Sequence, residues 1–423
     1  MIILLLSIFF ILLLLRVPIA ISLALSTMVI LLQIDFNMTM VPQRIFTALD
    51  SFPMMAIPGF VLAGVLLARG GISKYLIEAL KTWVGHLPGG LSVVTILACM
   101  IFAAISGSSP ATAAAIGSIM IPAMVKAGYD KKYSMGLVAA AGTLGILIPP
   151  SIPLIIYGIT AEVSIGKLFM AGVIPGVLLG GVLISSAIFY AKKNGYGKGE
   201  KATWEERGKS SLKAIWGAFL PVLILGSIYS GIVTPTESAV IAVFYGIIVS
   251  AFIYRELHWK DIRPIIVESI NITAMIFLII GAASLFGLYL TNAQIPQQIG
   301  AWIAESDVNK WTFLIIVNIL FFFMGMFLEA VSIILITLPI LLPMLIYFDI
   351  NLLHFAIIMT INMELGMITP PVGLNLFVVS GISKEKLGAV VKGVIPFIVL
   401  MIMVLIIVIL FPQLSLWLPE QME

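Results

Sequence analysis

The chain has 423 residues, of which 61% are hydrophobic and only 10% are charged, with a mean hydropathy of +1.18 and a formal net charge of +3. This composition excludes a soluble globule, and the apolar runs repeatedly approach the roughly 20 residues that span a bilayer. The single cysteine, Cys99, excludes an internal disulfide and a cysteine-based metal site. We therefore expect an all-α polytopic membrane protein.

Apolar segments follow one another along the chain and predict ten spanning helices. The first segment has no basic leader and no small-residue cleavage site, so we expect no removable signal peptide. The predicted spans cover residues 1–15, 17–32, 53–68, 133–161, 168–190, 214–232, 235–254, 265–291, 352–381 and 393–411.

A proline motif occurs twice, as Gly145-Ile-Leu-Ile-Pro-Pro150 and Gly366-Met-Ile-Thr-Pro-Pro371, at an offset of 221 residues. Pro122 and Pro343 recur at the same offset. A double proline removes two backbone donors and opens a helix, which leaves carbonyl groups unpaired. In hydrocarbon such carbonyls lie only around a polar cavity or an ion. Broken helices at matching positions in two halves of a chain are typical of secondary transporters.

The polar segment 191–213 predicts a cytoplasmic loop between two halves, because it is rich in basic residues. These residues are Lys192, Lys193, Lys198, Lys201, Arg207, Lys209 and Lys213. Outward from this loop, residues 90–125 and 311–346 each predict a re-entrant hairpin with its tip at membrane depth. Both termini then lie outside, and the repeats 1–190 and 214–423 have inverted topology. The acidic residues on the outer side would be Glu305, Asp307 and Asp349.

Two short segments have structural interpretations. Residues 72–84 predict an amphipathic helix lying in the membrane interface, because charged side chains share one helical face and apolar side chains the other. Thr234 and Glu237 have the spacing of a helix capping box. That interpretation is at least as well supported as a direct part in transport chemistry.

The tip of the first hairpin, Ser106-Gly-Ser-Ser-Pro110, combines hydroxyl groups, freed carbonyls and a helix N-terminus. Close packing of helices through small residues is the alternative interpretation. With the opened segment 145–150, these oxygens can replace the hydration shell of Na⁺, and the helix N-terminus can attract a carboxylate. The predicted Na⁺ ligands are Ser106, Gly107, Ser108, Gly145, Ile148 and Pro150, and the predicted substrate contacts are Ser108, Ser109 and Ser151.

The second half predicts an equivalent Na⁺ site at its own hairpin tip and broken helix. Its ligands would be Gly325, Met326, Leu328, Gly366, Met367 and Thr369. Glu329 lies at the tip, and an ionisable group at membrane depth indicates a functional site, so we expect it to contact substrate. The alternative is that Glu329 lies at the membrane surface and is solvated. Glu364, in the second broken helix, is a weaker candidate of the same kind.

These motifs resemble those of a known family, the large membrane subunit of TRAP transporters (DctM, or SiaM in sialic-acid systems). The resemblance covers essentially the whole chain. It is carried by Gly142-Thr-Leu-Gly-Ile-Leu-Ile-Pro-Pro-Ser-Ile-Pro153, Ser106-Gly-Ser-Ser109, Thr234-Pro-Thr-Glu237 and Thr369-Pro-Pro-Val-Gly-Leu-Asn375. It implies an elevator-type importer of an organic acid, of the sialic acid or C4-dicarboxylate type. The coupling ion would be Na⁺, with no other cofactor.

The resemblance also implies partners and a location. The expected partners are a small four-helix membrane subunit, here a separate chain, and a periplasmic substrate-binding protein. The expected location is the bacterial inner membrane. Glu329 stands where the resemblance places an acidic or polar residue near the substrate.

Other classes of protein fit the sequence less well. We do not expect an enzyme, because His86, His258 and His354 lie in separate segments without paired acids or metal-ligand spacing. A channel would not need inverted hairpins. The main alternative is a stand-alone symporter of the ion transporter superfamily, or a Na⁺/H⁺ antiporter.

Overall fold

The computed structural model describes residues 1–15, 17–196, 201–299, 306 and 308–422, and every regular element in these ranges is a helix. The predicted topological markers Lys198, Glu305 and Asp307 lie outside the described residues. The α-helices are α1 Ile2–Leu14, α2 Ile19–Gln33, α3 Met40–Leu49, α4 Ala56–Arg69, α5 Ile72–Val84, α6 Gly90–Ser106, α7 Ser109–Lys126, α8 Lys131–Thr143, α9 Ile152–Thr160, α10 Ile165–Asn194, α11 Trp204–Tyr229, α12 Pro235–Ile248, α13 Trp259–Asn292, α14 Lys310–Gly325, α15 Ala330–Tyr347, α16 Leu352–Met367, α17 Leu374–Ser383, α18 Leu387–Leu410 and α19 Gln413–Glu420.

Both predicted hairpins and both predicted helix breaks are present. Helices α6 and α7 form the first hairpin, and α14 and α15 form the second. The first break separates α8 from α9 and contains a short 3₁₀ helix at Leu144–Ile146, whereas the second separates α16 from α17. The peptide bonds Pro149–Pro150 and Pro370–Pro371 are both cis.

Within the part of the chain that the structure describes, seven helices are long and apolar enough to cross a membrane. Six of them match predicted spans, and the seventh, Ala330–Tyr347, is an arm of the second hairpin. The other four predicted spans are α1 and α2, which are shorter, and the two broken segments, in which the prolines interrupt the helix. The count of ten spans therefore stays a prediction.

The segment 191–213 differs from the predicted loop. Helix α10 continues to Asn194 and α11 already begins at Trp204, so the helices enter the basic segment from both sides. Local signals in the sequence explain these limits. Gly195 ends α10 in the left-handed conformation, and Thr203 forms a capping box with Glu206 at the start of α11.

Short helices account for the remaining differences. Helices α3 and α19, which have 10 and 8 residues, were not predicted from the sequence. Helix α5 spans residues 72–84 as predicted. Its apolar face packs largely against α11 and α6, with Ile72, Leu76 and Ala79 buried, whereas Trp83 is exposed.

The helices form two packed groups. In the first group, α13 packs on α2, α3 and α4, α4 packs on α12, and α11 packs on α5. In the second group, α8 packs between α7 and α18, α16 packs on α14, and α10 packs on α6 and α19. The groups meet where α5 and α4 contact α6, where α4 contacts α9, and where α13 contacts α15.

Helices α8 and α16, which lead into the two breaks, are buried along most of their length. All residues of α8 from Tyr133 to Thr143, and all residues of α16 from His354 to Met367, are buried. By contrast, α13 and α18 expose many large apolar side chains. Continuous exposed apolar surface of this kind suits contact with lipid. The first helix break, from Leu144 to Ser151, therefore lies inside the protein, where freed carbonyls can be shared with other protein groups. In the second break, Pro370, Pro371 and Val372 are exposed.

Candidate functional site

The tip of the first hairpin is shaped by its own sequence. Gly107 ends α6 with φ +60°, and Pro110 lies in the first turn of α7. The Ser106 hydroxyl lies 2.8 Å from the Thr112 hydroxyl, and the Ser108 carbonyl accepts a hydrogen bond from Thr112 Oγ1 at 2.9 Å. These bonds hold the tip in one arrangement.

This tip is in direct contact with the first helix break. A Cβ atom added to Gly145 would lie 2.6 Å from the Ser108 carbonyl oxygen and 2.8 Å from the Ser109 nitrogen. A Cβ atom on Gly107 would lie 2.9 Å from the carbonyl oxygen of Pro150. The Ile152 N–H donates to the Gly107 carbonyl at 3.5 Å. Glycine is therefore required on both sides of the contact.

The second half repeats this contact with different details. A Cβ atom on Gly366 would meet the Cα atom of Gly325, so two glycines lie face to face. The Gly373 N–H donates to the Met326 carbonyl at 3.1 Å. Gly373 and Ile152, whose backbone N–H groups donate to the hairpin tips, are related by the same offset of 221 residues. The sequence repeat therefore corresponds to a repeated tertiary contact.

One cavity of about 690 Å³ touches both tips and both breaks. The first tip contributes Ser106 to Ala111, and the second contributes Glu329 to Val331. The remaining lining comes from the breaks and from α4, α7, α13 and α17. The cavity thus lies at the boundary between the two groups of helices, where a movement of one group would change its shape.

Glu329 is the acidic side chain of the second tip. It precedes α15 in an extended conformation, and its carboxylate makes no capping bond. Its Oε1 atom is buried and has no hydrogen-bond partner among the described residues. Since buried polar atoms nearly always have a partner, this oxygen is available for a cation or a proton.

Not all predicted site residues reach the cavity wall. Ser106, Gly107, Ser108, Ser109, Glu329 and Met367 line it. Ser151 is buried outside this lining, and its hydroxyl donates to the Ile146 carbonyl at 2.6 Å. The Ile148 side chain packs towards Gly176 of α10.

The other predicted ligands lie at the contacts between tips and breaks. Gly145 and Pro150 do so in the first half, and Gly325, Met326 and Gly366 in the second. Leu328 is buried at the second tip, and its N–H donates to the Met324 carbonyl at 2.9 Å. The Thr369 hydroxyl donates to the Leu365 carbonyl at 2.7 Å.

Asn375 has a role in the site that was not predicted from the sequence. Its Nδ2 atom donates to Ser109 Oγ at 2.7 Å and to the Ala139 carbonyl at 3.2 Å. The second broken helix therefore holds the tip of the first hairpin. Asn375 ends the motif that begins at Thr369, and a polar amide in an apolar segment was the available signal.

A second pair of polar residues, Asn362 and Glu364, lies in α16. Glu364 was predicted from the sequence, and Asn362 was not. Both carboxylate oxygens of Glu364 are buried without a hydrogen-bond partner among the described residues. Two residues earlier, Asn362 donates through Nδ2 to the side-chain oxygen of Asn318 at 2.7 Å, which joins α16 to α14. Neither Glu364 nor Asn362 lines the cavity.

The structural interpretation of Thr234 and Glu237 is confirmed. Thr234 N–H donates to Glu237 Oε2 at 2.7 Å, and Glu237 N–H donates to Thr234 Oγ1 at 3.3 Å. The two residues cap α12 reciprocally.

Sequence comparisons match nearly the whole chain to known proteins. The model of the family described as "Tripartite ATP-independent periplasmic transporter, DctM component" matches residues 6–414. The C4-dicarboxylate TRAP transporter large permease protein DctM of Pseudomonas aeruginosa is 44% identical over 377 residues, covering 89% of this chain and 88% of that protein. The isethionate TRAP transporter permease protein DctMQ of Oleidesulfovibrio alaskensis is 43% identical over 410 residues, covering 95% of this chain. This chain spans 64% of the length of DctMQ.

A comparison with solved structures supports the fold alone. The YdaH transporter of Alcanivorax borkumensis superimposes with a TM-score of 0.62 at 14% identity, covering 90% of this chain and 87% of that one. The sequence relatives are transporter permeases and not enzymes. Because the family match extends over residues 6–414, the chain belongs to the DctM component family of tripartite ATP-independent periplasmic transporters, a family of multi-pass membrane proteins.

Proposed function

We propose that this chain is the large membrane subunit of a Na⁺-coupled, binding-protein-dependent importer of an organic acid. The observation that carries the proposal is the cavity that touches both hairpin tips and both helix breaks. Helix breaks around a common cavity are the usual site of substrate and coupling ions in secondary transporters.

Na⁺ is the coupling ion that these groups suit. Each tip lies against a break through backbone carbonyls, and a carbonyl that already accepts one hydrogen bond keeps a second lone pair for a cation. The Met326 carbonyl and the Gly107 carbonyl are of this kind. The unpaired Oε1 atom of Glu329 adds negative charge beside the cavity. We assign the Na⁺ ligands to the predicted residues at the two tips and breaks.

The substrate is an anion held between the tips. The α7 N-terminus lines the cavity and carries no capping side chain, so its first N–H groups are free to bind an anion. Ser108 and Ser109 add hydroxyl groups there. The names of the relatives refer to C4-dicarboxylates and to isethionate. A small carboxylate or sulfonate is therefore the substrate class, which includes sialic acid as the sequence analysis expects.

Transport in this proposal follows an elevator mechanism. The second group of helices, which contains both hairpins and both breaks, moves against the first group, which contains α4, α12 and α13. The position of the cavity at the boundary between the groups supports this division. The inverted repeats 1–190 and 214–423, with the segment between them in the cytoplasm, supply the required symmetry.

The proposed partners are a small membrane subunit docked on the first group and a periplasmic substrate-binding protein. The proposed location is the bacterial inner membrane. A stand-alone symporter or Na⁺/H⁺ antiporter is the competing function, since it could use the same broken helices without a binding protein.

Uptake into proteoliposomes distinguishes these functions. The large and small subunits are reconstituted together, and uptake of labelled succinate, isethionate and sialic acid is measured. We expect uptake of one of these acids only when an inward Na⁺ gradient and the cognate binding protein are both present. Equal uptake without the binding protein would favour the stand-alone symporter. Equal uptake in choline under a proton gradient would reject Na⁺ coupling.

A further inference from the structure

An ion pair lines one side of the candidate cavity. Arg69, the last residue of α4, and Glu268 of α13 both line it. The Arg69 Nη2 atom lies 2.6 Å from Glu268 Oε2, and Nε lies 3.2 Å from the same oxygen. The pair therefore joins two helices of the first group directly beside the space between the hairpin tips.

The ion pair lies at the cytoplasmic end of the cavity. The basic residues near the start of α13 identify this end. The cavity follows α4 from Val61 to Arg69, and it follows the first half of α13 from Glu268 to Ile276. Basic residues surround the start of α13, with Arg255, Lys260 and Arg263 within or just before its first turns. By the positive-inside rule this end of α13 is cytoplasmic.

Arg69 is the sole cationic side chain among the described residues that line the cavity. The other charged lining residues, Glu268 and Glu329, are both acidic. About 44% of the Arg69 side chain is exposed. Nε and Nη2 both bind one oxygen of Glu268, so the Nη1 side of the guanidinium is left for another acceptor. A planar guanidinium with a free edge matches a carboxylate or a sulfonate.

We propose that Arg69 forms a second anion subsite, on the cytoplasmic side of the substrate site. This inference rests on the proposed function. An acid leaving the first hairpin tip binds the free edge of Arg69, while Glu268 keeps the guanidinium oriented and partly neutralised. Because Glu268 competes with the departing acid for the Arg69 guanidinium, it weakens the binding of that acid. The subsite belongs to the stationary group, so the acid meets it only when the mobile group faces the cytoplasm.

The two partners of the ion pair should therefore have opposite effects on anion binding. Binding of succinate, isethionate and sialic acid is measured on the purified complex with the small subunit, in Na⁺. We expect Arg69→Gln to weaken binding of the bound acid about tenfold, which is the effect of losing a hydrogen bond to a charged group. We expect Glu268→Gln to bind the acid as tightly as the unmodified protein or more tightly. Arg263→Gln, an exposed arginine on α13 outside the lining, is the matched control and should change nothing.

A purely structural ion pair gives a different pattern. Arg69→Gln and Glu268→Gln would then weaken binding equally and lower the melting temperature together, which would overturn the inference. The double variant Arg69→Gln/Glu268→Gln leaves neither charge unpaired. It therefore controls for misfolding that an unpaired charge could cause in the single variants. We expect it to bind as weakly as Arg69→Gln, and recovery to the unmodified affinity would also overturn the inference. If the unmodified complex bound none of the three acids, the proposed substrate class would be wrong instead.

Discussion

At the scale of single residues, the glycines of the two breaks determine how closely each hairpin tip approaches. The prediction of Gly145 and Gly366 as site residues came from their place beside a double proline. The structure adds the reason, because both positions face backbone atoms of a hairpin. A side chain there must push the tip away from the break.

We expect Gly145→Ala to weaken the Na⁺ dependence of uptake and to destabilise the protein by about 1–3 kcal/mol, as extra atoms in a packed interior do. The measurement is uptake against Na⁺ concentration, together with thermal unfolding in detergent. Gly287→Ala is the matched control, because a Cβ atom at Gly287 meets nothing within 4 Å. An unchanged Na⁺ dependence in Gly145→Ala would show that the contact between the hairpin tip and the break does not contribute to Na⁺ binding.

Ser108 provides a test of the substrate site. Ser108 lines the cavity, whereas the Ser186 hydroxyl donates to the Leu183 carbonyl at 2.8 Å within α10. We expect Ser108→Ala to lower uptake about tenfold through the loss of a hydrogen bond to a charged group. Ser186→Ala should have little effect. Small and equal losses in initial uptake rate would leave packing as the only role of Ser108.

The sequence predicted the polar residues of the tips but could not place each one. Ser106, Ser108 and Ser109 reach the cavity because they lie in the turn between α6 and α7 or directly beside it. Ser151 has the same chemistry, yet its hydroxyl is used inside its own segment. The choice between these positions depends on side-chain direction, which spacing alone does not determine. The bond between Asn375 and Ser109 joins residues 266 positions apart and had no local signal of its geometry.

At the scale of elements, the broken helices and hairpins were predictable because proline and glycine act locally on the backbone. The 13-residue helix α5 was predictable for a similar reason, since its charged and apolar faces differ. Helices α3 and α19 are short and lack such a pattern over a long stretch. The length of α10 and α11 was underestimated because charged residues can extend an apolar helix beyond the hydrocarbon.

An ion pair attaches α5 to the connection between α12 and α13. Glu256 accepts hydrogen bonds from Lys74 Nζ at 3.2 Å and from the Tyr75 hydroxyl at 3.1 Å. These two bonds hold the pKa of the Glu256 carboxyl below its usual value of 4.5. A lowered pKa in the folded state stabilises the protein above the ordinary pKa, and this contribution is lost as the pH falls through the lowered value.

We therefore expect the melting temperature of the unmodified protein to fall more than that of Glu256→Gln when the pH is lowered from neutral to about 3. Because the carboxylate is close to the surface, the difference should be small. Glu78→Gln, on the exposed side of α5, is the control for the loss of one carboxylate. Parallel melting curves for Glu256→Gln and the unmodified protein would show that the ion pair does not hold α5.

At the scale of the whole molecule, the internal repeat and the membrane composition were sufficient to predict a helical transporter. They were not sufficient to define its two packing groups, because each group takes helices from both halves of the chain. Helix α4 of the first half packs on α12 and α13 of the second, and α8 packs on α18. Such pairings depend on contacts between distant segments, and the repeat indicates only which segments correspond.

The central claim is that the cavity opens alternately to the two sides of the membrane while α4 stays in place. Two cavity-lining alanines test it, Ala111 of the first hairpin and Ala68 of α4. Each is replaced by cysteine and labelled with a membrane-impermeant thiol reagent in spheroplasts and in inverted vesicles. The native Cys99 is fully buried, so its background should be low.

We expect Ala111→Cys to react from both sides of the membrane, with the balance shifted by Na⁺ and substrate, and Ala68→Cys to react from the cytoplasmic side alone. Reaction of Ala111→Cys from one side only, whatever ions and acids are present, would contradict movement of the hairpin across the membrane.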